Sequence, residues 1–176
     1  MRLLDIDASS IANIVVTHLH YDHIGNFDRF PNARYHLQDQ EMRFATGRHM
    51  SYKCAHEAYN IEDVVGMIRQ VYKGRVDFHD GDETLAPGLS VHLVGGHTMG
   101  LQIVRVYTQC AWIVLASDAS HYYRNFIEDR PFPIVFNVDD MVARWDRMRE
   151  LADSEDHIVP GTPLMCWCVT PPIHQA

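Results

Sequence analysis

Three histidines and an aspartate fall within six residues of one another in His18-Leu19-His20-Tyr21-Asp22-His23. In an extended segment, side chains at i and i+2 project the same way, so His18 and His20 can grip one metal ion. A turn of the chain then lets Asp22 and His23 face a second ion close by. Imidazole and carboxylate donors suit zinc, with iron or manganese as substitutes. For a chain with this His and Asp content, an HxHxDH pattern arises by chance in roughly 0.5% of cases.

Two later residues extend the donor set. His97 follows an apolar stretch in Gly95-Gly96-His97-Thr98, and Asp118 ends another in Ala116-Ser117-Asp118-Ala119. Alone, His97 reads as structural and Asp118 as a helix N-cap. With HxHxDH upstream, both become candidate ligands, since a carboxylate at the end of a strand can bridge two metals.

Elements that position these donors are legible from the pattern of apolar residues and breakers. Strands are expected over 11–17, 33–37, 75–78, 89–94, 101–107, 112–116 and 157–159. Helices are expected over 39–46, over 61–72 with Asn60 as N-cap, and over 138–151 with Trp145 and Met148 inward. This order points to a layered α/β arrangement rather than a regularly alternating parallel sheet.

Composition narrows the function classes. The chain has 176 residues, expected to form one domain (1–176), and its 15 basic against 23 acidic side chains give 15 − 23 = −8. That balance argues against nucleic acid or an anionic membrane as the primary partner. No apolar run reaches the ~20 residues that span a bilayer, and Asp5 and Asp7 interrupt the start, so a cytoplasmic location is expected. Cys54, Cys110, Cys166 and Cys168 contain no CxxC pair and are expected to be reduced and mostly buried. Met42, Phe44, Met50 and Tyr52 read as ordinary core, with an apolar pocket as the alternative.

Taken together, HxHxDH, Gly-His-Thr after a strand and Asp after another strand resemble the metallo-β-lactamase superfamily in order and spacing, from about Leu3 to Gly161. Ser117-Asp118-Ala119-Ser120 followed by Asn125-Phe126 looks like the N-acyl-homoserine lactonase group within it. The resemblance implies an αββα sandwich, incomplete in its N-terminal β-rich segment because only 17 residues precede His18. On that account a sheet edge and apolar surface would be left for a partner to cover, or solubility would be marginal. It implies two zinc ions, the first held by His18, His20 and His97, the second by Asp22 and His23, with Asp118 bridging. It implies hydrolysis of a small-molecule lactone or ester by zinc-activated hydroxide, with Asp22 as candidate acid. Family lactonases often carry a Tyr three residues after the bridging Asp to bind the carbonyl. His121 stands there, with Tyr122 and Tyr123 adjacent, so His121 and Tyr122 are catalytic candidates beside a plain packing role. Family lactonases are often homodimers.

The sequence departs from the family where Thr162 follows Pro160-Gly161, because the family places its last metal-ligating His there. The second site is therefore expected to lack one ligand, and His157 is a weak substitute. The tail 161–176 is atypical, and a one-base frame slip would turn Thr162 into His and restore a family-like end. Besides a lactonase, the readings are a truncated, catalytically impaired homologue that binds one metal or none, and a glyoxalase II-like thioesterase.

Overall fold

Strands β1 (Asn13–Val15), β2 (Arg34–Gln38) and β3 (Val76–His79) pair in that order, all parallel. The structure, a computed structural model, describes residues 6–162. It divides into two compact units, one up to Gly81 and the other from Asp82.

In the first unit, parallel neighbours require long crossovers. The crossover from β1 to β2 is the His-rich segment. The one from β2 to β3 carries α1 (Asp39–Ala45), α2 (Lys53–His56) and α3 (Ile61–Tyr72). The Asn60 side chain accepts the Glu62 amide at 2.9 Å and starts α3. Val64 and Met67 on its inner face pack with Val16, Leu19, Ala33, Tyr35 and Leu37. Arg75 donates to the Phe30 and Ala33 carbonyls, each at 2.7 Å, and so ties the far end of the His-rich crossover to the end of α3. The loop that follows β1 thus emerges at a carboxyl strand end, where open α/β sheets place ligands.

The second unit holds β4 (Glu83–Ala86), β5 (Leu89–Leu93), β6 (Gln102–Tyr107), β7 (Trp112–Ser117) and β8 (Ile158–Pro160) in sequential order. The first four run antiparallel, and β8 joins β7 in parallel. Between them lie α4 (Tyr123–Ile127) and α5 (Val138–Leu151). The α5 residues Met141, Trp145, Met148 and Leu151 pack on Leu101, Ile103, Val114 and Ala116. The fully buried Trp145 meets its polar requirement by donating its indole N–H to the Ala119 carbonyl at 2.8 Å. Arg105 donates to the Leu151 carbonyl at 2.7 Å while stacking 3.7 Å over Trp112, which closes the end of α5.

The mixed α/β class matches the expectation, and α3 and α5 have the expected bounds. Several particulars differ. β4 was not expected: its polar, four-residue run is a strand because it hairpins onto β5 through Pro87-Gly88. The short helices α2 and α4 were not expected either. β1 covers only three of the seven expected residues, and Ala12 and Asn13 are exposed. Cys54 and Cys110 are free but exposed, contrary to the expectation of burial, because one lies on the short α2 and the other in the β6–β7 turn. Phe44 is buried and Met42 packs on the first core, whereas Tyr52 is exposed. Residues 163–176, with Cys166, Cys168 and His174, lie outside the described residues. No helix among those described is long and apolar enough to cross a membrane.

Most remaining histidines have structural partners. His36 reaches Asn13 and His79, each at 3.1 Å, linking all three strands of the first sheet. His92 lies 2.9 Å from both Asp82 and Ser90, and Arg147 of α5 also holds Asp82.

Replacing Trp145 with Ala removes a fully buried indole and the donor to Ala119. The expected cost is about 3–5 kcal/mol in urea unfolding followed by circular dichroism. A loss below about 1 kcal/mol would contradict the packing described.

Candidate metal centre

In the first unit, the chain leaves β1 and immediately buries His18 and His20. The His18 ring centroid lies 4.6 Å from that of His20 and 4.1 Å from that of His23, so three imidazoles converge on one another. Asp22 points outward, with 57% of its side chain exposed, and its Oδ2 is 3.4 Å from His23 Nε2.

Beneath this loop sits a residue the sequence did not single out. Glu41, on α1, is fully buried. Its Oε1 accepts the Leu19 amide at 2.9 Å and the Tyr59 hydroxyl at 3.0 Å. Tyr59 in turn sets its ring edge-on to His20, with centroids 4.7 Å apart. Burial, then the adjacent Glu41 charge, pushes the Tyr59 phenol far above its ordinary pKa, so it remains a donor. The backbone between His18 and His20 is thus pinned from below by one carboxylate oxygen. No local motif announces this, since Glu41 lies 22 residues from Leu19.

In the second unit, β5 runs out through Gly95 and Gly96 into His97. Gly96 has φ +80°, and a Cβ there would fall 2.6 Å from the Met141 Cα, so only glycine lets this loop lie against the first turn of α5. The His97 Nδ1 meets the Ile134 carbonyl at 2.7 Å. A carbonyl only accepts, so Nδ1 carries a proton, which leaves Nε2 as the nitrogen able to bind a metal, the arrangement of a metal-ligating imidazole. That Nε2 is 3.4 Å from Asp118 Oδ2.

Asp118 is aimed by two backbone devices. The β7–β8 register shifts between Leu115 and Ser117, and Ser117 adopts the left-handed region at φ 46°. Gly161 on the neighbouring segment leaves room for the carboxylate, for a Cβ there would lie 2.4 Å from Asp118 Oδ1. His121 is also buried, with Nε2 3.3 Å from the same Asp118 Oδ2.

The other candidates are placed as follows. Tyr122 precedes α4, its amide donating to Asn125 Oδ1 at 2.8 Å, and its ring lies 6.0 Å from that of Phe132. Tyr123 packs on the second core. His157 lies in a turn before β8 rather than on a strand, 2.8 Å from Ser154 Oγ. In chemistry the donors fit a divalent metal: within each unit, buried imidazoles are gathered together, and the second unit adds a buried carboxylate.

Comparison with known proteins adds context. The profile of the metallo-beta-lactamase superfamily matches residues 1–161. An N-acyl homoserine lactonase of Bacillus thuringiensis is 26% identical over 160 residues, which are 90% of this chain and 58% of that protein. One of Bacillus cereus is 29% identical over 147 residues, 83% of this chain and 53% of the relative. The chain therefore spans little more than half the length of these relatives. A solved N-acyl homoserine lactone hydrolase, with the product N-hexanoyl-L-homoserine at its catalytic metal center, shares the fold. Its TM-score is 0.72 at 24% identity, over 90% of this chain and 58% of that one.

Glu41→Ala leaves the Leu19 amide and the Tyr59 hydroxyl without this acceptor. The expected cost is about 1–3 kcal/mol per orphaned group, measured by urea unfolding of metal-free protein. Glu41→Gln retains an acceptor oxygen and is expected to cost less. Equal stability of Glu41→Ala and wild type would show that the carboxylate does not hold the loop.

Proposed function

The chain belongs to the metallo-beta-lactamase superfamily, and from that premise we propose that it is a metal-dependent hydrolase that opens a lactone ring of the N-acyl-homoserine lactone kind. The observation that carries the metal reading is the burial of His18, His20, His97 and Asp118, donors that an apolar interior does not otherwise favour. The lactone reading rests on the lactonase relatives.

In this reading His18, His20 and His97 would hold one zinc ion and Asp22 and His23 a second, with Asp118 proposed as a ligand to both. Bound zinc supplies hydroxide at neutral pH and polarises the ester carbonyl. The protein's own groups do the rest. His97 is fixed by the Ile134 carbonyl, so its donor nitrogen does not reorient during turnover. Asp22 is solvent-exposed enough to collect a proton and deliver it to the departing alkoxide. Ile134 and Phe136, exposed on the segment that also anchors His97, offer apolar surface to an acyl chain. Tyr122 is proposed to donate to the substrate carbonyl. The enzyme is proposed to act in the cytoplasm on a small-molecule substrate, as a homodimer and without nucleic acid or membrane as partner.

A second reading, an impaired homologue with one metal, is favoured by one observation: Thr162 stands where the family carries a ligand.

Acid release from an N-acyl-homoserine lactone, followed by pH-stat, tests the proposal. The expected result is turnover that a chelator abolishes and zinc restores, with kcat/KM lowered by at least about 100-fold in His20→Ala. Thioester cleavage without lactone cleavage would favour the thioesterase reading. Turnover that persists in protein stripped of metal would sink the metal mechanism.

A further inference from the structure

Directly after Pro160-Gly161, at Thr162, the chain offers a hydroxyl where a metal-ligating imidazole is expected. The fold sets another histidine beside that position. The Thr162 amide donates to the His121 carbonyl at 3.1 Å, and the Gly161 amide to the Ser120 carbonyl at 2.9 Å. Residues 161–162 thus run alongside 120–121, and the two positions are neighbours across one backbone pairing.

The His121 ring is built into place. It is buried and lies nearly flat on Phe132, with centroids 3.8 Å apart and an interplanar angle of 18°. Its Nδ1 makes no hydrogen bond among the described residues, so the polar contact of the ring is confined to the Nε2 edge. That edge faces Asp118 Oδ2 at 3.3 Å, and His97 Nε2 approaches the same oxygen at 3.4 Å. With metal–ligand bonds of about 2.0–2.2 Å, adjacent corners of a tetrahedral zinc site lie about 3.3 Å apart. Both separations are those of neighbouring ligands.

We propose that His121 is a metal ligand, sharing with Asp118 the ion for which Thr162 offers no imidazole. In that role the ring binds through Nε2, the edge that faces Asp118. The carbonyl-binding role suggested for position 121 then passes to another group. This inference rests on the proposed metal reading of Asp118, and its test separates the two.

The test is metal counting on the full chain loaded with zinc and freed of excess, joined to the absorption spectrum of the cobalt-substituted protein and to competition with a zinc-binding dye. Wild type is expected to hold two ions per chain. His121→Ala is expected to hold one, with the second bound at least about 100-fold more weakly and the cobalt absorption altered in shape. The double variant His121→Tyr with Thr162→His, which moves the imidazole across the pairing, is expected to recover two, and it decides the matter if His121→Ala fails to fold by circular dichroism. Two ions at unchanged affinity in His121→Ala would overturn the proposal. So would a single ion in wild type that His121→Ala retains, or a double variant that does not regain the second ion. Wild type that binds no metal at all overturns the metal reading itself.

Discussion

Burial of ionisable donors is the constraint on which both units depend. A buried charge or imidazole costs several kcal/mol unless a partner meets it. Glu41 meets the Leu19 amide and Tyr59, His97 meets the Ile134 carbonyl, and Asp118 lies between His97 and His121. These partners arrive from well along the chain, 22 residues away for Leu19–Glu41 and 37 for His97–Ile134. Each donor set therefore exists only when its unit is folded: α1 must seat Glu41 under the loop, and the 131–136 segment must lie against His97.

That dependence explains what could be read from the sequence. The HLHYDH segment was legible because its donors are close in sequence and their spacing has a geometric meaning. Helices α3 and α5 were legible to the residue because each has a clear apolar face, and α3 also an asparagine cap at Asn60. His97 and Asp118 were legible only as strand-end residues that gain meaning from the upstream motif. Glu41 was not legible at all, since a lone acidic residue on a short helix looks like any solvated side chain, and its burial follows from packing. β4 was hidden for a similar reason: Glu83-Thr84-Leu85-Ala86 is too short and polar to read as a strand until β5 pairs with it. Cys54 and Cys110 show the opposite limit, where a residue type that favours interiors sits outside because its short element has no inner face to offer.

The backbone carries part of the specification. Gly96 and Gly161 both stand where a Cβ would collide, one with α5 and the other with the Asp118 carboxylate. Ser117 accepts a left-handed conformation that costs a non-glycine residue about 1 kcal/mol or more. The register shift beside it turns the chain out of the sheet, so the carboxylate leaves the strand direction. These features have little use in a plain strand end. They make sense together as the means of presenting one carboxylate to two imidazoles, those of His97 and His121.

A metal ion senses where donor atoms lie, and it has no sense of which residue number carries them. The backbone pairing of residues 120–121 with 161–162 sets positions 121 and 162 beside each other, and Asp118 lies 3.3 Å from His121. A sequence pattern written as "His after Pro-Gly" records one solution to that geometry. This fold keeps the geometry and has an imidazole on the opposite side of the pairing, so the missing residue of the motif does not by itself mean a missing ligand.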